Sequence, residues 1–198
     1  MTIELVEAPE VEPVSVEQAR AYLRLTSASE DEFIGGLVKA ARLRVEETTG
    51  YALAPQTRRL VLDAWPDGPL ELPAPPLLEV EEVEYVAPDG TVTQLAEGFD
   101  YDVATESTPG AIVPRGYAAG LPWPSAARRP DAVRVTFRCG YGEPGSAELP
   151  ENLDLAIKAI ALHWFDHRGT TIAGTIATPL PQTYDFMTAS HRFRYRRP

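Results

Sequence analysis

The chain has 198 residues, 44% hydrophobic and 24% charged, with a formal net charge of −11. That length and composition suit one domain with an insertion; they argue against wholesale disorder and against general nucleic-acid binding, which needs a basic surface. No apolar run approaches the roughly 18–20 residues that span a bilayer, and the acidic start Met1-Thr2-Ile3-Glu4-Leu5-Val6-Glu7 is unlike the basic end of a signal peptide, so a cytoplasmic protein with no membrane partner is expected.

In chain order, Ser15-Val16-Glu17-Gln18 has the form of a capping box, with Val14 placed as a hydrophobic staple. It predicts a helix from Val16 to about Leu25 that buries Val16, Ala19, Tyr22 and Leu23. Ser29-Glu30-Asp31-Glu32 predicts a second, Ser29-capped helix with Phe33, Ile34, Leu37, Val38, Ala41 and Val45 along its apolar side. Lys39, Arg42, Arg44, Glu46 and Glu47 are expected away from that side. Gly50 supplies a left-handed stop.

From Thr57 to Tyr141 the period changes to two. Arg59–Trp65, Leu70–Leu72, Val80–Val86, Thr91–Leu95, Phe99–Val103, Ala111–Val113 and Ala132–Tyr141 read as strands. Pro88-Asp89-Gly90 and Thr108-Pro109-Gly110 are the turns of two hairpins. The sole cysteine, Cys139, lies in the last strand, which excludes an intrachain disulfide and a Cys-based zinc site and reads as a small core hydrophobe.

Pro150 opens a third helix in which Leu153, Ala156, Ile157, Ile160, Ala161 and Trp164 share one face, and Gly169 ends it. This helix should pack on the second. The fold expected is α+β: a small helical bundle of two N-terminal helices and one C-terminal helix, an inserted all-β region, and an extended C-terminal arm. The boundaries are 1–55, 56–142, 143–169 and 170–198. Residues 168–198 carry five Arg and one Asp, net +4, against −15 on the rest, so a basic tail leaves an acidic body. With little apolar period, that tail is expected to be mobile until a partner orders it.

Four constellations carry candidate chemistry. His163 and His167 stand at i and i+4 on one helix, a spacing that can bind zinc; Asp166 in place of a longer Glu, and the lack of a third ligand, favour histidines that simply flank the helix C-terminus. Asp100 and Asp102 alternate along a strand, as a carboxylate pair or as a solvated face. Gly140-Tyr141-Gly142-Glu143-Pro144-Gly145 lacks the Lys-Ser/Thr of a phosphate loop. Arg192, Arg194, Arg196 and Arg197 interleave with Phe193 and Tyr195, a pattern that suits docking to a partner's carboxylates and can also bind nucleic acid. Tyr184 and Phe186 add apolar anchors to the docking reading.

The order of these motifs resembles the head–tail connector (adaptor) family of tailed phages and phage-derived gene transfer agents. The resemblance lies in the capped pair from Val14 to Gly50, with Ala40-Ala41-Arg42 and Glu46-Glu47-Thr48-Thr49-Gly50; in Phe137-Arg138-Cys139-Gly140-Tyr141-Gly142 before Pro150; in the helix through His167-Arg168; and in Pro181 to Arg192. It implies a structural protein with no cofactor and no catalytic residues, made in the bacterial cytoplasm and placed in the neck of a phage-like particle. Its copies, twelve by expectation, would form a ring between the portal and the stopper or tail. Double-stranded DNA would pass through the channel without specific binding. The arm 170–198 becomes the portal-docking element, with Tyr184, Phe186, Arg192, Phe193, Arg194, Tyr195, Arg196 and Arg197 as its contacts. The competing readings are a small metal-dependent hydrolase using His163 and His167, and a DNA-binding protein using the arginine tail.

Overall fold

Apolar residues recur at a helical period in the flanks and at a period of two in the middle, and each pattern builds its own compact unit. The computed structural model describes residues 1–120, 122–143, 147–167, 182–193 and 195. A helical unit comprises Val11–Leu53 and Glu148–Arg194, and a β unit comprises Met1–Glu10, Ala54–Ala147 and Tyr195–Pro198. The chain is an α+β protein.

In the helical unit, α1 (Val16–Tyr22) is capped as expected: the Ser15 hydroxyl accepts from the Gln18 amide at 3.1 Å, and the Gln18 side chain accepts from the Ser15 amide at 2.8 Å. Val14 is buried beside it, but α1 stops at Tyr22 and buries only Ala19 of its predicted stripe. The second helix, α2 (Asp31–Thr49), begins after Glu30 without a side-chain cap. Ser29 does not cap it, because its amide and hydroxyl both bond to Ser27 Oγ. Instead Arg20 of α1 grips the Asp31 carboxylate at 2.8 and 3.0 Å, fixing the start of α2.

Helix α3 (Glu151–Asp166) follows Pro150 and packs on α2. Ile34, Val38, Ala41 and Val45 of α2 and Leu153, Ala156, Ile157 and Ile160 of α3 are all buried between the packed helices, and burying each large side chain contributes about 1.5–3 kcal/mol. Two expectations fail on α2. Phe33 is largely exposed, and Arg42 and Glu46, placed by sequence on the polar side, are buried as an ion pair at 3.1 Å. The predicted extended arm also fails over its described part, since Gln182–Ala189 is a helix, α4, packed on α2 and α3.

In the β unit, strands β1 (Thr2–Glu7), β2 (Gln56–Leu62), β4 (Leu77–Val86), β5 (Val92–Leu95) and β8 (Val133–Cys139) form an antiparallel sheet in the order β1-β2-β8-β4-β5. Strands β3 (Leu70–Glu71), β6 (Tyr101–Ala104) and β7 (Ala111–Pro114) form a second sheet in the order β3-β7-β6. Both predicted hairpins, β4–β5 and β6–β7, are present. One row of the larger sheet is apolar across its width: Ile3, Leu60, Val135, Val83 and Leu95. The next row, on the opposite face, runs Glu4, Arg59, Thr136 and Glu82, and the Arg59 guanidinium donates to the Thr136 hydroxyl at 3.1 Å. Strand β1 corrects the assignment of 1–55 to the helices, because its residues pair with β2 while all six stay exposed. Gly110 lies against Leu77 with no room for a Cβ, so glycine is required at that approach.

Candidate docking surface

The fold sorts the expected docking residues by burial. Tyr184 and Thr188, one helical turn apart, form the inward face of α4. The Tyr184 hydroxyl donates to Thr48 Oγ1 at 2.7 Å, and Asn152 of α3 donates to the Met187 carbonyl at 3.0 Å. Burial pushes the Tyr184 phenol above its ordinary pKa, partly offset by the Thr48 hydrogen bond. Tyr184 is therefore a core residue of the helical unit, not a free anchor.

Beyond α4 the chain is held by its backbone. The Phe193 amide donates to the Thr49 carbonyl at 2.6 Å, and the Phe193 ring stands edge-on to Tyr51 with centroids 6.2 Å apart. Gly50 makes this possible: its φ is 77°, and the Phe193 carbonyl occupies the space a side chain would need. In the β unit, the Tyr195 hydroxyl donates to the Glu71 carbonyl at 3.0 Å, and burial pushes that phenol up to about 12. Residues 182–193 thus lie packed on the helical unit. Arg194, Arg196 and Arg197 lie outside the described residues.

Two of the residues expected to dock face outward. Phe186 is 86% exposed on α4, and Arg192 reaches Asp185, next to Phe186, at 3.5 Å. An exposed benzyl group beside a solvated ion pair has the makeup of an interface anchor with a polar rim. A second apolar feature of the helical unit was not legible as a surface in the sequence. Phe33 and Leu37 line an open hollow of about 640 Å³ at the start of α2, bordered by Glu30 and Glu32. The signal was available, since both residues lie on the edge of the predicted stripe, where burial is incomplete.

The other constellations resolve into structural roles. A ring nitrogen of His167, Nδ1, lies 2.7 Å from the His163 carbonyl oxygen, and the two rings stand 4.4 Å apart at the C-terminal turn of α3. Among the described residues no group of three or more His, Cys, Asp or Glu side chains is placed to hold a metal ion. The Asp100 carboxylate accepts the Ala96 amide at 2.8 Å and closes the loop before β6. Cys139 is buried, its thiol 3.7 Å from the Gln56 carbonyl. Gly140 and Gly142 belong to a connecting loop; Pro144 and Gly145 lie outside the described residues. No described helix is long and apolar enough to cross a membrane.

No protein-family model and no curated protein sequence matches the chain. Solved structures do. A chain in the neck of an empty GTA particle, computed with C6 symmetry, superposes with a TM-score of 0.77 at 24% identity, over 99% of this chain and 97% of that one. Chains in the virion of a native gene transfer agent (GTA) particle, and in the neck of a native GTA particle computed with C12 symmetry, each give 0.74 at 22% identity with the same coverage. This chain has the fold of gene transfer agent neck chains. The likeness spans 99% of this chain and so takes in both units.

Proposed function

We propose that the chain is a head–tail connector: a structural ring component of the neck of a phage-like particle, non-enzymatic, joining the portal of a DNA-filled head to the stopper or tail. The observation that carries this reading is the end-to-end likeness to chains of gene transfer agent necks, one of them in a twelvefold assembly. In this reading twelve copies form the ring, and Phe186 with Arg192 and Asp185 meets the portal. In the same reading Arg194, Tyr195, Arg196 and Arg197 add to the contact. The net charge of −15 over residues 1–167 suits a conduit through which DNA slides without being held, because unpaired carboxylates repel phosphate. The histidine pair supports no hydrolase reading, since among the described residues no third ligand is placed beside it.

Particles produced without the chain test this reading. Heads are expected to fill but then to lose DNA or fail to gain tails, and wild-type chain should restore them. Tailed, DNA-retaining particles that lack the chain would rule it out.

A further inference from the structure

The larger sheet of the β unit ends on two strands that are paired on one side among the described residues, β1 and β5. Natural edge strands are usually blunted by lysine, proline or brevity. Strand β1 contains neither Lys nor Pro, is six residues long, and leaves Ile3, Leu5 and Val6 between 40% and 54% exposed. Strand β5 is shorter, but it too holds an apolar residue in water, Val92 at 56%. The blunting devices on β1 are one bulge, between Leu5 and Glu7, and the Glu4 and Glu7 carboxylates, which oppose an acidic partner but not an uncharged one. Two open edges on opposite sides of one sheet are a head and a tail.

We propose that the occupant of each edge is a second copy of this chain: β1 of one copy pairs with β5 of the next, and the five-stranded sheets join into a continuous belt around the ring. This rests on the ring reading and names the surface that makes the ring. Three observations select this partner. Each neighbouring pair in the order β1-β2-β8-β4-β5 is antiparallel, so β1 and β5 run the same way. Copies in a twelvefold ring differ by a rotation of about 30°, which preserves strand direction, so the junction is parallel and its hydrogen bonds are available to both strands.

Charge decides against the alternative of β1 meeting β1 across a two-fold axis. That arrangement gathers the Glu4 and Glu7 carboxylates of both copies onto one short ribbon, where like charges destabilise. Strand β5, Val92-Thr93-Gln94-Leu95, carries no charge and accepts an acidic neighbour. The apolar row also continues, since Leu95 ends it in one copy and Ile3 begins it in the next. Five strands at about 4.8 Å spacing make a sheet roughly 24 Å wide, so twelve copies close a belt about 90 Å across.

Two surface variants test the junction. Leu5→Lys and Val92→Lys place a charge on the open edges without touching the core, so melting temperatures should match wild type. Under the conditions where wild-type chain forms rings, alone or on its portal, each variant alone should stay unassembled. A 1:1 mixture should yield heterodimers, because the intact β1 of one variant meets the intact β5 of the other and neither can extend further. Rings formed by either variant, or a mixture that stays monomeric while wild type assembles, would overturn the edge-to-edge junction and leave the ring reading standing. Wild-type chain that forms no ring in either condition would overturn both.

Discussion

Arg42 Nε donates to Glu12 Oε2 at 2.6 Å across thirty residues of sequence, from a side chain that is 2% exposed. Its Nη1 lies 3.1 Å from Glu46, whose other oxygen accepts the Leu53 amide at 2.8 Å, so one guanidinium ties the segment before α1 and the chain after α2 to the α2 helix. Burial alone works against the charge on Arg42; the Glu12 hydrogen bond and the two carboxylates outweigh it and hold its pKa above the ordinary arginine value. Removing one partner of a buried pair strands the other charge. Arg42→Ala should cost about 3–5 kcal/mol, and adding Glu46→Gln should recover part of that loss; urea unfolding of both proteins measures it.

The two faces of α4 should separate stability from docking. Tyr184→Phe removes the bond to Thr48 and should cost about 1 kcal/mol. Phe186→Ala, on the exposed face, should change stability by less than about 0.5 kcal/mol while weakening portal attachment. Deleting Thr188 to Pro198 should lower the melting temperature, because it removes the buried Thr188 and the Phe193–Thr49 bond. A tail that was mobile throughout would have predicted no change.

Two glycines of α2 and its cap should respond with opposite signs. Gly50→Ala meets both a φ of 77° and the Phe193 carbonyl, and should destabilise by at least about 1–2 kcal/mol. A Cβ on Gly36 meets no neighbouring atom, so Gly36→Ala within the helix should stabilise by about 0.5–1 kcal/mol. Thermal unfolding of the pair checks the sign as well as the size.

Alkaline pH should loosen the fold through its buried phenols. Burial raises the phenols of Tyr101, Tyr184 and Tyr195, the last to about 12. A folded-state pKa above the unfolded value means the unfolded chain gives up the proton first. The contribution is then complete below about pH 10 and is lost as pH rises toward 12. Urea midpoints taken from pH 8 to 11.5 should fall above pH 10, and Tyr195→Phe should flatten that fall.

Helices α2 and α3 and strand β8 were legible because their large apolar residues recur at the period of the element: Ile34, Val38, Ala41 and Val45 on one helix, and Val133, Val135 and Phe137 on the strand; the two hairpins were legible from their turns, Pro88-Asp89-Gly90 and Thr108-Pro109-Gly110. Strand β1 was not, since all its side chains are exposed and its pairing is written in backbone hydrogen bonds that any sequence supplies. Arg42 and Glu46 misled for a related reason, because a charged residue reads as solvated unless its partner, here the distant Glu12, is known. Ser29 was a false cap; its hydroxyl found Ser27 first. In α4 the inward face consists of Tyr184 and Thr188, residues whose polar atoms disguise their burial. At the docking surface the sequence supplied the residue types, and the fold decided that Phe186 points out and Tyr184 points in.

The most direct test of the connector role is electron cryomicroscopy of the purified chain mixed with its own portal. A twelvefold ring seated on the portal, with Phe186 of each copy at the contact, is the predicted result. A chain that remains monomeric and leaves the portal bare would contradict it.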